Sequence, residues 1–335
     1  MTIDQIRTIL ANGAFPGRSQ PAELVETHIS WVILTPDFAF KIKKPVVFGF
    51  LDFSSEAKRK TYCEEELRLN RRLAPEMYLG VLPVGGPPDQ PSIGENARPL
   101  LDYAVQMRRM DNSRQMDFML DHQQVTPAHL EQLAAVLAPF HRQVVINGPL
   151  VYHPGSHWAD FAELYRFRAD MEQHLGPTAT EKMQHWRTVL PAFLEQHAGR
   201  LLARARDGFW VDGHGDLHTR NIFLPDSGPV VFDCIEFNPH FRQSDILNEL
   251  AFLCMDLEAR GVPNLATTFL NAYTRYWDIF PDPADRDLFR FFKAYRANVR
   301  LKVALLEMRQ HPSEKLKTQV KQYWALLEKI LKPLE

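Results

Sequence analysis

Apolar positions along the chain follow two rhythms in turn. Residues 3–12 carry apolar side chains at helical spacing and predict a short amphipathic helix. The runs His28–Leu34 and Phe38–Ile42 are rich in β-branched and aromatic residues, and Thr35-Pro36-Asp37 separates them. Proline presets one turn dihedral and aspartate bonds its own backbone, so the pattern predicts a β-hairpin. Ser54–Leu73, dense in Glu, Arg, Lys and Leu, predicts a helix that ends before Pro75. Val81–Val84 and Tyr103–Met107 read as short strands bracketing a Gly/Pro-rich loop at 85–99.

From Asn112 onward the period becomes helical. Pro127–Val145 and the stretches 158–174, 180–205, 244–259, 264–278 and 284–308 all place apolar residues three and four apart. One β-rich island interrupts them at 209–233, where Phe209–Val211, Ile222–Leu224 and Val230–Phe232 read as short strands. The predicted fold class is α+β, a small β-rich part followed by a larger helical one.

Composition narrows the options without choosing among them. A chain of 335 residues that is 45% hydrophobic can bury one large core or two modest ones joined by a hinge. A net charge of −2 gives no bulk attraction to nucleic acid or to an anionic membrane. Cys63, Cys234 and Cys254 form no CxxC pair, which argues against a zinc knuckle or a disulfide framework and for free thiols in a reducing compartment. The N-terminus shows no basic region followed by an apolar stretch, and no window reaches the roughly 18 apolar residues of a membrane span, so the expected location is cytoplasmic. Gly85-Gly86-Pro87-Pro88 lacks the Lys-Ser/Thr of a phosphate-binding P-loop.

The β-rich island holds the densest group of chemically capable residues: His214-Gly215-Asp216-Leu217-His218-Thr219-Arg220-Asn221, then Asp233 twelve residues after Asn221. Phosphoryl transfer needs a carboxylate to orient and deprotonate the attacking hydroxyl, and hard oxygen ligands to hold magnesium against the phosphates. Asp216 suits the first task, and Asn221 and Asp233 suit the second. A second reading uses His214, Asp216, His218, Asp233 and His240 as ligands of a transition metal in a hydrolase, which leaves Lys41 and Asn221 without roles.

His-Gly-Asp-Leu-His-x-x-Asn-Ile, a hairpin, then an Asp ending an apolar strand resembles the catalytic loop and metal-binding Asp of the aminoglycoside phosphotransferase and choline kinase group, small-molecule relatives of the protein kinases. Ala39-Phe40-Lys41 looks like that group's third-strand lysine motif, and Leu133–His141 like a helix of its larger lobe. The stretches Lys41–Phe53, Cys63–Pro75 and His214–Glu258 look like an uncharacterised bacterial subfamily often fused to a C-terminal P-loop kinase domain.

The resemblance implies a two-lobed protein-kinase-like fold, with an N-lobe at 1–107, a hinge near 107–111 and a helical C-lobe at 108–335. It implies an ATP- and Mg2+-dependent transfer to a hydroxyl of a small polar molecule. In it Lys41 contacts the α- and β-phosphates, braced by Glu66 in preference to its neighbours Glu64 and Glu65. Asp216 is the base, and Asn221 and Asp233 hold magnesium. His214 and Asp245 support the loop, and the strand through Met107 and Arg109 offers backbone groups to adenine. The turn Thr35-Pro36-Asp37 has no glycine, so the phosphate lid is either built differently from the glycine-rich loop of kinases or absent. That departure favours a further alternative, a nucleotide-binding protein without turnover. Arg296 and Arg300, one helical turn apart, read either as a solvated flank or as an acceptor site for an anion.

Overall fold

The computed structural model describes residues 1–17, 20–49, 51–147, 153 and 155–334, and these form two compact units. Met1–Gln124 and Arg220–Arg242 make up the first, Val125–Thr219 and Gln243–Glu335 the second. The sequence reading places everything from 108 onward in the helical part. In the structure, residues 108–124 and 220–242 group with the sheet instead. The reason is local bonding: Leu224 N donates to Arg114 O, Gln115 Nε2 donates to Arg220 O at 2.6 Å, and Phe223 packs with Val105 and Met107.

The first unit is built on an antiparallel sheet. In chain order come α1 (Ile3–Asn12), β1 (Glu23–Glu26), β2 (Ser30–Leu34), β3 (Phe38–Lys43), β4 (Val47–Phe48), β5 (Leu51–Asp52) and α2 (Glu56–Asn70). They are followed by β6 (Tyr78–Gly85), β7 (Ser92–Ile93), β8 (Leu100–Arg108) and α3 (Met116–Asp121). Among the described residues the large sheet has the order β1-β2-β3-β8-β6-β7. The predicted hairpin is β2–β3, closed by Thr35, whose Oγ1 accepts from Phe38 N at 3.0 Å. Strand alternation sends Phe40 and Ile42 of β3 to one face, where they pack with Ile6 and Ile9 of α1. Ala39, Lys41 and Lys43 therefore face α2, whose Cys63 shares a core with Ala39.

β1 and β7 have no counterpart in the sequence reading. Both are short edge strands, and β1 is mostly exposed, so neither carries an alternating apolar signature.

Among its described residues the second unit is helical apart from β9 (Trp210–Asp212) and β12 (Gln243–Asp245), which pair antiparallel. Its helices are α4 (Pro127–Gln143), α5 (Gly155–Ala162), α6 (Arg168–Leu175), α7 (Pro177–Arg206), α9 (Ile246–Ala259), α10 (Pro263–Thr274), α11 (Ala284–Gln310) and α12 (Glu314–Leu331). The remaining short elements, β10 (Ile222–Phe223), β11 (Val230–Val231) and α8 (Pro239–Arg242), belong to the first unit. The single helix expected over 158–174 is broken into α5, a 3₁₀ segment at Glu163–Phe167 and α6. Every residue from Ile246 to Leu257 is buried, so α9 is the axial element of this unit. It carries acids at Glu249 and Asp256 into that interior. Among the described residues no helix is long and apolar enough to cross a membrane.

Candidate active site

In the first unit five charged side chains form a line of alternating sign. Lys41 Nζ donates to Asp233 Oδ1 at 2.7 Å and to Glu66 Oε1 at 2.8 Å. Lys43 Nζ donates to the other oxygen of Glu66 at 2.7 Å and, at its far side, to Glu236. Period-two geometry aims both lysines at α2, and helical spacing puts Glu66 on the same buried face as Cys63 and Leu69. Glu66, not Glu64 or Glu65, is the partner because it alone of the three is fully buried. Burial pushes its carboxyl up, but the two lysines outweigh that and bring it down to about 2. Burial likewise opposes the charge on Lys41, and Asp233 and Glu66 reverse it, so the ammonium is held well above its ordinary value. Glu236 goes the other way: burial raises its carboxyl despite Lys43.

Asp233 is placed by its backbone. It follows β11, which pairs with β10 in the register Ile222↔Val231. Phe232 N donates to Asn221 O at 3.0 Å, so Asn221 and Asp233 flank the same end of this hairpin. Asp233 adopts a left-handed conformation, with φ of 64°, which few non-glycine residues tolerate. Side chains on either side hold it there: its N–H donates to the Tyr78 hydroxyl at 3.2 Å, and Cys234 N donates to Asn70 Oδ1 at 2.9 Å. Backbone strain fixed by surrounding hydrogen bonds is a common property of functional positions.

In the second unit the chain leaves β9 through Gly213 into the loop that carries Asp216. Glu249 of α9 accepts from His214 N at 2.6 Å and from Gly215 N at 3.0 Å. Asp256, two turns further along α9, accepts from Thr219 N at 3.0 Å and Thr219 Oγ1 at 2.6 Å. Arg296 of α11 closes a third side, with Nη1 donating to Gly215 O at 3.0 Å and Nε to Asn248 Oδ1 at 2.8 Å. His214 Nδ1 accepts from Asp216 N at 3.3 Å, a backbone-bracing role. His218 Nε2 lies 3.3 Å from Asp216 Oδ2. Burial raises the Asp216 carboxyl, but His218, Arg300 and His214 together hold it well below the usual carboxylate range.

Two glycines make this path possible. A Cβ at Gly213 would come within 2.9 Å of the Glu249 carboxylate, and Gly215 has φ of 82°.

Glu249 is fully buried, and His141, His214 and Arg296 outweigh that burial to bring its carboxyl down to about 2. A folded-state value below the ordinary 4.5 stabilises the fold above that pH, and the contribution is lost as pH falls toward 2. Glu249→Gln turns one acceptor oxygen into a donor facing one of the two backbone N–H groups, a cost of roughly 2–3 kcal/mol. Urea unfolding is expected to show this loss at neutral pH, and a flatter stability profile between about pH 5 and 2 than in the wild type.

Two expectations need correction. Among the described residues the Asp245 carboxylate makes no hydrogen bond to the loop: it takes Arg204 Nε and Nη2 at 2.8 and 2.9 Å and caps α9 through Leu247 N. Direct bracing falls to Glu249 and Asp256, while Asp245 contributes only through the pairing of β12 with β9. Arg109 is not a free hinge donor. Its N–H is engaged by Asp37 O at 2.9 Å and its guanidinium by Glu23 at 3.0 Å, while Met107 lies inside the ladder opposite Ala39 and Tyr78.

A family model described as a phosphotransferase enzyme family matches residues 50–289. The chain belongs to this family. The matched stretch takes in Glu66, the loop with Asp216 and Asn221, and Asp233; Lys41 lies nine residues before it. An uncharacterised protein of Mycobacterium tuberculosis is 32% identical over 306 residues, which is 90% of this chain and 58% of that one. The chain thus spans 58% of the length of the curated relatives it matches.

Among solved structures, a choline/ethanolamine kinase family protein from Mesorhizobium loti superposes with a TM-score of 0.54 at 14% identity, over 99% of this chain and 95% of that one. The GDP complex of a wild-type aminoglycoside 2'-phosphotransferase gives 0.56 at 13% identity, over 99% and 98%. At such identities the likeness is one of fold, and the phosphotransferase family fold here is the α+β kinase-like one.

Proposed function

We propose that this chain is an ATP- and magnesium-dependent phosphotransferase that moves the γ-phosphoryl group to a hydroxyl of a small polar molecule. The observation that carries the reading is Lys41, held at once by Glu66 and by Asp233. That arrangement puts a cation for phosphate beside a carboxylate for metal. The donor set fits magnesium. Asp233 is 44% exposed, and among the described residues its Oδ2 has no protein partner. Asn221 adds an amide oxygen at the same end of the hairpin. Both are hard ligands of the kind magnesium takes. A bound magnesium ion would neutralise charge on the phosphate oxygens.

In this reading Lys41 binds the α- and β-phosphates, and Glu66 fixes the direction of its ammonium. Asp216, ionised at neutral pH, orients the acceptor hydroxyl and takes its proton as the oxygen bonds to the γ-phosphorus. The bond to the β-phosphate oxygen breaks, and ADP leaves. So acidic a carboxylate is a weak base, which suits a loose transition state in which the proton moves late. The hydrolase alternative needs several His and Asp ligands around one ion, and among the described residues no three His, Cys, Asp or Glu side chains are grouped to hold one. The reading without turnover draws support from the glycine-free turn Thr35-Pro36-Asp37. ADP release from magnesium-ATP with pooled polar metabolites separates it from the enzyme.

Magnesium-ATP is expected to raise the melting temperature by binding the native state preferentially. Lys41→Ala should shrink that rise without collapsing the fold, because Lys43 still pairs Glu66. A Lys41→Ala protein that binds magnesium-ATP as tightly as wild type would disprove the assignment of this lysine.

A further inference from the structure

Arg296 and Arg300 sit one turn apart on α11, and the structure gives them different work. Arg296 is 5% exposed and held in the architecture of the loop. It bonds Asn248 and the Gly215 carbonyl and stacks its guanidinium 4.8 Å over Phe252. Even so its Nη2 is buried with no partner among the described residues. Arg300 is only partly buried. Its Nε donates to the Tyr323 hydroxyl of α12 at 3.3 Å, and its guanidinium lies 5.7 Å from the Tyr323 ring. Among the described residues it makes no other hydrogen bond and no ion pair, so both Nη groups keep their donors.

A guanidinium only partly withdrawn from water and oriented by one hydroxyl, with no carboxylate on it, keeps donors for an incoming anion. The acids of this region are committed elsewhere. Asp256 holds Thr219 and lies 3.8 Å from Arg260, and Asp216 faces His218. Arg300's charge nevertheless acts on both aspartates. Its place is fixed by Arg296, which touches the residue before Asp216; four residues further along α11 is about 6 Å of helix.

We propose that Arg300 binds an anionic group of the phosphate acceptor, which makes the acceptor a small hydroxylated anion. The paired Nη donors suit a carboxylate or a phosphate in bidentate fashion. The hydroxyl to be phosphorylated lies a few bonds from that group. This deepens the proposed function and rests on Asp216 being the base. It sets the chain apart from family members whose names specify choline, ethanolamine or aminoglycosides, which are cationic.

The test uses the whole chain and begins with binding of magnesium and a non-hydrolysable ATP analogue by calorimetry. Failure there sinks the phosphotransferase reading itself. With the nucleotide site saturated, inorganic phosphate and acetate are titrated at constant ionic strength, beside choline and glycerol. Phosphate or acetate should bind with at least tenfold preference over choline and glycerol, and the stronger of the two names the acceptor's anionic group. Arg300→Gln should weaken that binding about tenfold or more, and Arg300→Lys should restore part of it. Binding of phosphate or acetate that is unchanged in Arg300→Gln overturns the proposal. So does a wild-type protein that prefers choline, or one that takes up neither anion, results that need no variant to fold.

Discussion

Asp216→Asn is expected to lower phosphoryl transfer by roughly 10²–10⁴-fold, the range for loss of a general base, while magnesium-nucleotide affinity stays within about twofold of wild type. The substitution keeps size and hydrogen-bonding shape. The loop around it is pinned by its backbone to Glu249, Asp256 and Arg296, none of which depends on the Asp216 charge. Single-turnover transfer and calorimetric titration on one preparation separate the two quantities. An Asp216→Asn protein that loses nucleotide affinity in proportion to rate would place this residue in binding rather than in proton transfer. If it instead arrives stripped of a transition metal that wild type carries, the hydrolase mechanism is restored.

Asp233→Asn should do more. Asparagine accepts left-handed backbone better than most residues, so the φ of 64° is kept and the change reads on charge alone. Lys41 then loses its 2.7 Å partner, and the metal loses its only carboxylate in the proposed set. Transfer is expected to fall on the order of 10³–10⁵-fold, the scale of a lost charge stabiliser in this chemistry. Nucleotide binding should also cease to respond to magnesium. If titrations with and without magnesium still differ in the variant as they do in the wild type, Asp233 is not the ligand.

Much of this site is legible in the residues, for reasons that differ along it. The hairpin announced itself through Pro36 and Asp37 between two β-rich runs, and alternation along β3 then required Lys41 and Lys43 to share a face. Choosing Lys41 and Glu66 needed a resemblance, because a run of lysines or of glutamates looks like ordinary surface. Lys43 and Glu236, by contrast, give no local signal of pairing. They meet only because the hairpin at 222–231 returns the chain to α2.

The loop supports were more accessible than the sequence reading allowed. Glu249 and Asp256 are acids inside a mostly apolar helix that is buried on every side, and such acids need buried partners. Asp245 drew attention by spacing, yet Arg204, 41 residues earlier, claims its carboxylate, and no local pattern reports that. α12 has no counterpart among the predicted helices, although it has a Ser313 cap and buries Val320, Trp324, Leu327 and Leu331 at helical intervals. Its omission also hid the Tyr323 hydroxyl that orients Arg300.

Exposure along the line of charges in the first unit is graded: Glu66 is shut off, Lys43 and Glu236 nearly so, and Asp233 lies open at 44%. Mobile salt ions act over a Debye length of about 8 Å in physiological buffer, and they weaken charges in water far more than charges inside protein. Of the three carboxylates in the line, Asp233 is the most accessible to solvent. Raising ionic strength therefore leaves the interior pairs of Glu66 intact and loosens only the Lys41–Asp233 contact. The buried pairs act as a rigid backing, and the end that meets solvent is the one that background electrolyte can tune.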